Sequence, residues 1–351
     1  MRILVITQKY DINDSNLGVF VDWWDRLAQR VERVYVLALE KRSESNTGNI
    51  QVESMGKEKG AKFAGKFLGF YKGFFKLIGG SDAILVHMIP KYVILAAPIA
   101  FILRRPIYMW YTGVSVHWQL RLAVIFCRKV FTAHEAAMRI NTPKRIVTGH
   151  GIDVSKFKIQ NSKFKINEPI TIISVGRITP SKGHDLIIRV AADLIKAGYD
   201  LKLKLVGGMI QEYHREYADS LKKLAAELGI NDRVEFAGAI PYGEMPQSFD
   251  NAEILINAVP FGGLDKVVLE AMASGVIPLT SNGAFLTVFP EAIGRDLIFK
   301  AGGIDDLKNK LKEILDRALF KNENLRHELR NIVIQNHNIN HLIDRIVSEI
   351  K

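Results

Sequence analysis

Short apolar runs alternate with longer amphipathic stretches through most of the chain. Continuous runs of Ile, Val and Leu are typical of parallel strands buried on both faces, and amphipathic stretches predict helices. Their alternation predicts a doubly wound parallel α/β sheet. In the first half of the chain the predicted strands are Ile3–Thr7, Val34–Leu39, Ala83–His87, Ile107–Trp110, Lys129–Phe131 and Arg145–Val147. The predicted helices there are Val19–Arg30, Lys62–Ile78, Tyr92–Leu103, His117–Phe126 and Glu135–Ile140.

A polar segment, Lys158–Pro169, interrupts this pattern and is interpreted as a linker because it lacks a helical or strand period. The alternation then restarts. Strands are predicted at Ile170–Val175, Lys202–Val206, Val234–Phe236, Ile254–Ile256, Ile277–Leu279 and Leu297–Phe299. Helices are predicted at Gly183–Ala197, Tyr213–Leu228, Tyr242–Asn251, Val267–Ser274, Ile304–Leu319 and Leu342–Ile350.

The restart predicts two domains, which a length of 351 residues also favours. We place an N-terminal Rossmann-like domain at residues 1–157, the linker at 158–169 and a C-terminal Rossmann-like domain at 170–335. A closing helix within residues 336–351 could pack back on the N-terminal domain. Two facing sheets joined by one linker would leave a cleft between them, which is a favoured place for a ligand.

The net charge of +11 is distributed unevenly along the chain. Residues 1–150 hold 22 of the 48 Lys and Arg but only 11 of the 37 Asp and Glu, which leaves 26 of each sign in residues 151–351. Such asymmetry indicates a polyanionic partner for the N-terminal domain. An anionic membrane surface and nucleic acid are the two candidates, and nucleic acid is disfavoured because the sequence contains no known nucleic-acid-binding module.

The cysteine count and the hydropathy pattern bear on the compartment. Cys127 is the single cysteine, so an intramolecular disulfide and a cysteine-based zinc site are both excluded. This fits a reducing compartment. Because no apolar run reaches the roughly 18 residues of a membrane span, we expect a cytoplasmic protein that could associate peripherally with the inner face of the membrane.

The segment Ile173–Asp185 (ISVGRITPSKGHD) is the first candidate for chemistry. A predicted strand ends at Gly176, and a turn with Arg177 and Lys182 leads into a helix. Ligands of open α/β sheets bind beyond the carboxyl ends of the strands. Two cations beside a helix N-terminus there would hold a diphosphate. A solvated turn whose lysine only improves solubility is the alternative interpretation.

A second segment, Phe261–Gly275, favours the binding interpretation. It is a glycine-rich turn followed by a helix with Glu270 inside an apolar stretch. A carboxylate in such surroundings is costly unless it has a partner, and the two hydroxyls of a ribose are suitable donors. The alternative, an acid that interacts with the helix dipole, is weaker because Glu270 lies several residues inside the predicted helix.

The chain resembles glycosyltransferase family 4, retaining enzymes with two facing Rossmann-like domains of the GT-B type. The matching segments are VTGHGIDVSKF, SVGRITPSKG, VEFAGAIPYGEMPQSFDNAEILINA and VLEAMASG, which cover most of residues 145–280. The resemblance implies that Arg177 and Lys182 neutralise the diphosphate of a UDP- or GDP-sugar and that Glu270 binds its ribose. Backbone near Gly238 and Ile240 would contact the base. Gly18 would let the backbone approach the phosphate and the transferred sugar.

The resemblance also implies the mechanism, which is front-face transfer with retention and no metal or other cofactor. Electrostatic stabilisation of the leaving diphosphate would drive it. The sequence contains no metalloprotease motif and no nucleophile motif of the G-x-S-x-G type.

Two positions depart from the family pattern. The first of two family glutamates falls on Gly262, so Asp265 would take over its contact with the sugar, with Lys266 near the phosphate. Gly263 and Val267 would complete the donor-binding turn. A family histidine near the donor sugar falls on Gly113, which leaves His117 as the first substitute and His150 as the second. His134 and His184 are interpreted as structural.

Residues Lys57–Ile78 predict a helix with aromatic residues on one face and lysines on the other. This pattern is typical of a helix at a membrane interface, although an aromatic face that merely covers the sheet is the alternative. With the charge asymmetry, the pattern favours an anionic membrane surface as a partner and a lipid-linked or envelope-glycan acceptor.

Three other functions stay open. Gly262 and Gly113 keep open a relative that binds a nucleotide sugar without transferring it. A polyanion- or nucleic-acid-binding protein and a nucleotide-sugar epimerase on the same scaffold are the remaining alternatives.

Overall fold

The computed structural model describes residues 1–14, 17–159, 168–209 and 213–351. They form two compact units, one of Met1–Gly151 with His337–Lys351 and one of Ile152–Asn336. Residues 152–157, grouped above with the N-terminal domain, lie in the second unit. Most of the predicted linker, residues 160–167, lies outside the described residues.

The first unit contains a sheet of seven strands. They are β1 (Arg2–Tyr10), β2 (Arg33–Lys41), β3 (Ile50–Ser54), β4 (Ala83–His87), β5 (Ile107–Trp110), β6 (Cys127–Thr132) and β7 (Arg145–Val147). Their order is β3-β2-β1-β4-β5-β6-β7, and every neighbouring pair is parallel. The order reverses between β1 and β4, as in a doubly wound fold.

Helices cover both faces of this sheet. They are α1 (Val19–Ala28), α2 (Phe63–Ile78), α3 (Pro90–Ile102) and α4 (Trp118–Phe126). Because side chains alternate along a strand, Ile3 and Val5 of β1 join the core on the side of α1, whereas Leu4 and Ile6 join the core beneath α2, α3 and α4.

The second unit repeats the plan with five parallel strands. They are β8 (Ile170–Val175), β9 (Leu201–Val206), β10 (Val234–Gly238), β11 (Ile254–Asn257) and β12 (Ile277–Thr280), in the order β10-β9-β8-β11-β12. The helices are α5 (His184–Lys196), α6 (Tyr213–Glu227), α7 (Met245–Ser248), α8 (Lys266–Ala273), α9 (Ile304–Asp316) and α10 (Glu323–Asn336).

The last helix, α11 (Ile339–Ile350), belongs to the first unit, where it packs against α1. Its apolar face is buried in the same core as the side chains of α1. Polar contacts support the packing, since the Arg26 guanidinium donates to the Asn340 side chain at 3.0 Å and Arg30 to Asp344 at 2.5 Å.

Several predicted elements are wrong. The predicted helix Glu135–Ile140 is a single 3₁₀ turn, Glu135–Ala137, because Met138 has an extended backbone. The predicted strand Leu297–Phe299 forms only an isolated bridge, from Ile298 to Thr280. The predicted helix Tyr242–Asn251 is a 3₁₀ turn followed by the short α7. The strand β3 and the helix α10 were not predicted.

The packing of α11 on α1 is testable through Leu342, which is fully buried. We expect Leu342→Ala to lower the free energy of unfolding of the first unit by about 2–5 kcal/mol, because the lost side chain leaves a cavity. Calorimetric unfolding measures this. Ser348→Ala, on the exposed side of the same helix, should change the same quantity by less than about 0.5 kcal/mol. Equal small effects of both changes would contradict the packing.

Candidate functional site

The loops that follow the strands of the second sheet form one edge of that unit. The strand order reverses between β8 and β11, and an open α/β sheet binds its ligands beyond the carboxyl ends of the strands at such a point. The loop after β8 carries Arg177 and Lys182, and the loop after β11 leads to α8 with Glu270. The structure thus brings the predicted residues of this unit to the same edge.

Contacts between backbone groups fix the loops after β8, β9 and β10. The Gly176 amide donates to the Val206 carbonyl at 2.9 Å, and the Gly207 amide donates to the Gly238 carbonyl at 2.8 Å. A Cβ on Gly207 would lie 1.7 Å from the carbonyl oxygen of Gly176. Only glycine fits there, since the backbone of one loop occupies the space of a side chain on the other.

Arg177 and Lys182 are the cations of the first of these loops. Arg177 is exposed, whereas Lys182 is half-buried with its aliphatic chain over Gly176. Among the described residues, neither side chain has a hydrogen-bond or ion-pair partner. Two positive charges that form no salt bridge, at the carboxyl edge of the sheet, are suited to hold a phosphate or diphosphate.

The turn that carries Lys182 is closed by its own polar side chains. The hydroxyls of Thr179 and Ser181 bond to each other at 3.0 Å. Gly183 is the N-cap residue of α5, with a left-handed backbone. A 3₁₀ turn, Pro180–Lys182, therefore separates the strand from the helix and carries Lys182.

Glu270 is 4% exposed and has two partners in the second unit. Tyr242 donates its hydroxyl to Glu270 Oε1 at 3.0 Å, and Lys266 Nζ lies 3.6 Å from the same oxygen. Lys266 also donates to the Tyr242 hydroxyl at 2.9 Å and lies 4.2 Å from the centre of the Tyr242 ring. The charge of Lys266 is thus held at Glu270, one helical turn away, whereas Lys182 has no such partner within the described residues.

Burial raises the pKa of Glu270, and the charge of Lys266 and the hydrogen bond from Tyr242 oppose this rise. The carboxylate is therefore incompletely compensated without a ligand. Additional hydroxyl donors, such as those of a ribose, would supply the hydrogen bonds that the Glu270 carboxylate lacks in the ligand-free protein.

Asp265 begins α8 and forms a second polar cluster at this edge. Asn282 Nδ2 donates to Asp265 Oδ2 at 3.1 Å and to the Gly263 carbonyl at 2.7 Å. Burial raises the pKa of Asp265, and the positive charge of Lys182 lowers it in turn. Asp265 and Lys182 are therefore electrostatic neighbours, which places the carboxylate near the predicted phosphate position.

The remaining predicted donor-binding residues of this unit lie along the same edge. A Cβ on Gly262 would meet only Asn282 Nδ2 at 3.7 Å, which is an ordinary van der Waals contact. Gly238 is exposed at the end of β10, and Ile240 and Val267 are half-buried against the core of the unit.

The first unit contains the other predicted site residues. A Cβ on Gly18 would lie 2.5 Å from the Asp14 carbonyl oxygen, so packing within its own loop already requires glycine. His117 is the N-cap residue of α4, and its Nδ1 accepts the Leu120 amide at 3.3 Å. A Cβ on Gly113 would lie 2.6 Å from the Tyr111 hydroxyl. The family histidine could not occupy position 113 unless Tyr111 moved.

The other histidines lie mostly inside the units. His150 is 8% exposed, with its ring 6.2 Å from that of Trp110. His134 accepts the Ala136 amide and caps a turn. Burial lowers the pKa of His184 to about 4. His87, which the sequence did not single out, is buried beside Phe20, and burial lowers its pKa to about 3. The last two are neutral at physiological pH.

Two polar residues of the site, Tyr242 and Asn282, were missed by the sequence. Tyr242 lies in the matching segment VEFAGAIPYGEMPQSFDNAEILINA, but nothing in its spacing pairs it with Glu270. Asn282 follows β12, so its position after a buried strand was a signal that could have been used. The described residues contain no group of three His, Cys, Asp or Glu side chains positioned to hold a metal ion. No helix among them is long and apolar enough to cross a bilayer.

Comparison with solved structures places the two units in a known fold. The structure of HepE from Anabaena in complex with UDP superposes with a TM-score of 0.78 at 17% sequence identity and covers 99% of both chains. The fold is therefore the GT-B type, two Rossmann-like domains that each carry a parallel sheet.

The sequence then gives the family. Residues 155–336, just over half of the chain, match the family described as glycosyl transferases group 1. This chain belongs to that family.

Curated relatives match about half of the chain. The GDP-Man:Man(3)GlcNAc(2)-PP-Dol alpha-1,2-mannosyltransferase of Xenopus laevis is 29% identical over 186 residues, which cover 51% of this chain and 38% of the relative. The GDP-mannose-dependent monoacylated alpha-(1-6)-phosphatidylinositol monomannoside mannosyltransferase of Corynebacterium glutamicum is 32% identical over 186 residues, which cover 47% and 45%. The chain thus spans less than half the length of these relatives.

The incomplete compensation of Glu270 predicts a stability effect. We expect Glu270→Gln to raise the free energy of unfolding of the ligand-free protein by about 1 kcal/mol at neutral pH, because the buried charge is removed while the acceptor for Tyr242 remains. A carboxyl whose folded-state pKa is raised stabilises the fold at low pH and loses this contribution as the pH rises through that pKa. The gain should therefore vanish on acidification.

Thermal unfolding of both proteins across the acidic range measures this gain. Glu244→Gln, an exposed position in the same unit, is the matched control and should change stability little at any pH. Destabilisation by Glu270→Gln at neutral pH would show that the carboxylate is fully compensated by its neighbours.

Proposed function

We propose that this chain is a retaining, metal-independent hexosyltransferase of glycosyltransferase family 4, with a GDP-sugar as donor and GDP-mannose as the first candidate. The observation that carries the proposal is the pair Arg177 and Lys182, two cations that form no salt bridge or side-chain hydrogen bond among the described residues, at the same sheet edge as the buried carboxylate Glu270. A nucleoside diphosphate has the complementary groups, two phosphates and a ribose diol.

Each residue would act on one part of the donor. Arg177 and Lys182 would bind the diphosphate and stabilise the negative charge that develops when the bond from the anomeric carbon to the phosphate oxygen breaks. Glu270, oriented by Tyr242 and Lys266, would accept the ribose hydroxyls. Asp265, held by Asn282, would accept a sugar hydroxyl in place of the glutamate that Gly262 lacks. Backbone near Gly238 and Ile240 would contact the base.

In this scheme the acceptor hydroxyl attacks the anomeric carbon from the face that the diphosphate leaves. The electron pair of the broken bond stays on the diphosphate, and the acceptor proton passes to a phosphate oxygen. The protein contributes the two cations and the orientation of the donor, so the mechanism needs no histidine base. This agrees with the structural role of His117, whose Nδ1 accepts the Leu120 amide.

The names of the relatives support the donor and the acceptor class. Both names specify GDP-mannose, and both specify a lipid-linked acceptor. We therefore propose a lipid-linked or envelope-glycan acceptor, met at the cytoplasmic face of a membrane. Because the similar structure of HepE contains UDP, UDP-sugars are the donors to test beside GDP-mannose.

The proposed reaction predicts both the donor and the stereochemistry of the product. With water as acceptor, GDP-mannose should release mannose that is initially the α-anomer, which nuclear magnetic resonance detects before mutarotation. The rate with UDP-glucose should be lower by at least about tenfold. A chelator should leave the rate unchanged. Release of the β-anomer would contradict retention, and loss of activity with the chelator would contradict metal independence.

A relative that binds the donor without transferring the sugar is the second candidate, and the steric block at Gly113 is the observation that favours it. This candidate would be supported if the chain binds GDP-mannose but neither hydrolyses it nor transfers mannose to a membrane lipid extract. Gly262→Glu tests the missing glutamate directly. A Cβ is tolerated at this position, and a large gain in activity would show that Asp265 does not replace the missing glutamate.

A further inference from the structure

Large apolar side chains are exposed on the outer side of α2, α3 and α4, the three helices that cover one face of the first sheet. Phe101 is 86% exposed and Ile102 76%, at the end of α3. The other exposed apolar residues of these helices are Phe63, Phe67, Leu68, Phe75, Trp118, Ile125 and Phe126. Monomeric soluble proteins rarely expose contiguous apolar patches, so a patch of this kind indicates a partner.

The helix α3 is the clearest case. No charged side chain occurs between Lys91 and Arg104, so the helix is apolar all round. One side, with Val93, Ala96 and Ala100, is buried on the sheet. A helix that is apolar all round belongs in an interior or a membrane, yet the outer side of α3 is exposed at Pro98, Phe101 and Ile102.

The predicted aromatic face of α2 is only partly used by the core. Phe70, Phe74 and Ile78 cover the sheet, as the structural interpretation of Lys57–Ile78 expected. Phe63 and Phe67, on the same predicted face, are 79% and 43% exposed. These two exposed residues lie in the first turns of α2, whereas Phe101 and Ile102 lie at the end of α3.

The charge around the patch has one sign. From residue 59 to residue 134 the sequence contains a single acidic residue, Asp82, which pairs with Arg2 at 3.0 Å. The same segment contains eleven basic residues, Lys59, Lys62, Lys66, Lys72, Lys76, Lys91, Arg104, Arg105, Arg121, Arg128 and Lys129. Lys76 pairs with Glu53 and Lys129 with Glu349, whereas Arg104, Arg105 and Arg128 lie beside Phe101 and Phe126.

A groove of about 430 Å³ lies where α3 and α4 end. Ala97, Phe101 and Phe126 form part of its apolar wall, and Arg104, Arg105 and Arg128 line it with guanidinium groups. Within the described ranges none of these arginines has an ion-pair partner, and the buried Nε of Arg105 lacks a hydrogen-bond acceptor. An apolar wall beside three unpaired cations fits a ligand with a hydrocarbon part and a phosphate.

We propose that this groove and its exposed apolar rim dock the first unit on an anionic phospholipid bilayer. A lipid phosphate would lie between Arg104, Arg105 and Arg128, while Phe101, Ile102 and Phe126 enter the interfacial region of the bilayer. Basic side chains around an apolar insertion are the features of interfacial membrane binding. A second copy of the chain is a poorer occupant, because a symmetric dimer would bring two basic surfaces together.

The position of the groove leaves the substrate edge of the same sheet open. Ile107 and Cys127, which line the groove, are the first residues of β5 and β6. The groove therefore lies at the amino ends of the strands, opposite the carboxyl edge where open α/β sheets bind ligands. Docking there does not compete with ligand binding, and it does not depend on the proposed transfer reaction.

The test is flotation of the full chain with vesicles of phosphatidylcholine containing phosphatidylglycerol, and with vesicles of phosphatidylcholine alone, at low ionic strength. We expect binding to the anionic vesicles only. Arg104→Glu with Arg128→Glu should weaken it by about thirtyfold or more. Phe101→Ser with Ile102→Ser should weaken it by at least about tenfold, because both side chains are exposed and their loss leaves the core intact.

Lys222→Glu with Lys223→Glu is the matched control, since it makes the same change in net charge on exposed residues of α6. It should leave vesicle binding nearly unchanged. No binding of the wild-type chain to anionic vesicles would overturn the proposal, and so would equal losses in the two charge-reversed variants. Insensitivity to Phe101→Ser with Ile102→Ser would show adsorption without insertion and overturn it as well.

Two further measurements separate this proposal from its alternatives. Inorganic phosphate at the ionic strength of a chloride control should not release the protein from vesicles, and specific release would indicate a site for a free anion instead. GDP binding by the variants should equal that of the wild-type chain. Loss of vesicle binding with retained GDP binding supports the docking surface. If neither the wild-type chain nor any variant binds GDP, that result contradicts the proposed function and leaves the docking proposal unaffected.

Discussion

The contact of the Gly176 carbonyl with Gly207 is the constraint on which the candidate site depends. A Cβ at position 207 would lie 1.7 Å from that oxygen, so the loops after β8 and β9 meet only because a side chain is absent. The next loop joins them through the bond from the Gly207 amide to Gly238. This fixed backbone sets where the turn with Arg177 and Lys182 leaves the sheet. Long cationic side chains on a rigid base can be directed at a phosphate with less loss of entropy on binding.

The two carboxylates at this edge, Glu270 and Asp265, are the acceptors of the candidate site. Among the described residues, Tyr242 and Lys266 compensate the buried Glu270, and Asn282 supports Asp265. Each arrangement keeps an acceptor available at some cost to the stability of the empty site, as is common for functional residues. The first unit differs, since Arg104, Arg105 and Arg128 lie beside exposed apolar side chains rather than in a polar cluster. The proposed donor recognition and the proposed membrane attachment therefore involve separate units.

The sequence predicted most of the regular structure because the buried parallel strands are continuous apolar runs, and Ala83–His87, Ile107–Trp110 and Ile170–Val175 agree at both ends. It missed β3, an edge strand that carries the polar residues Gln51 and Glu53. Glu270 was found because a carboxylate in an apolar helix is conspicuous. Tyr242 and Asn282 were not, because they meet their partners only through tertiary packing between loops far apart in sequence.

The central claim is that the second unit binds a nucleoside diphosphate at the carboxyl edge of its sheet. Calorimetric titration of the full chain with GDP and UDP, beside Lys182→Ala and the exposed control Lys196→Ala on α5, tests it most directly. The account predicts saturable GDP binding that Lys182→Ala weakens by about tenfold or more and Lys196→Ala leaves unchanged. Absence of binding by either nucleotide, or equal affinity in the wild-type chain and Lys182→Ala, would contradict it.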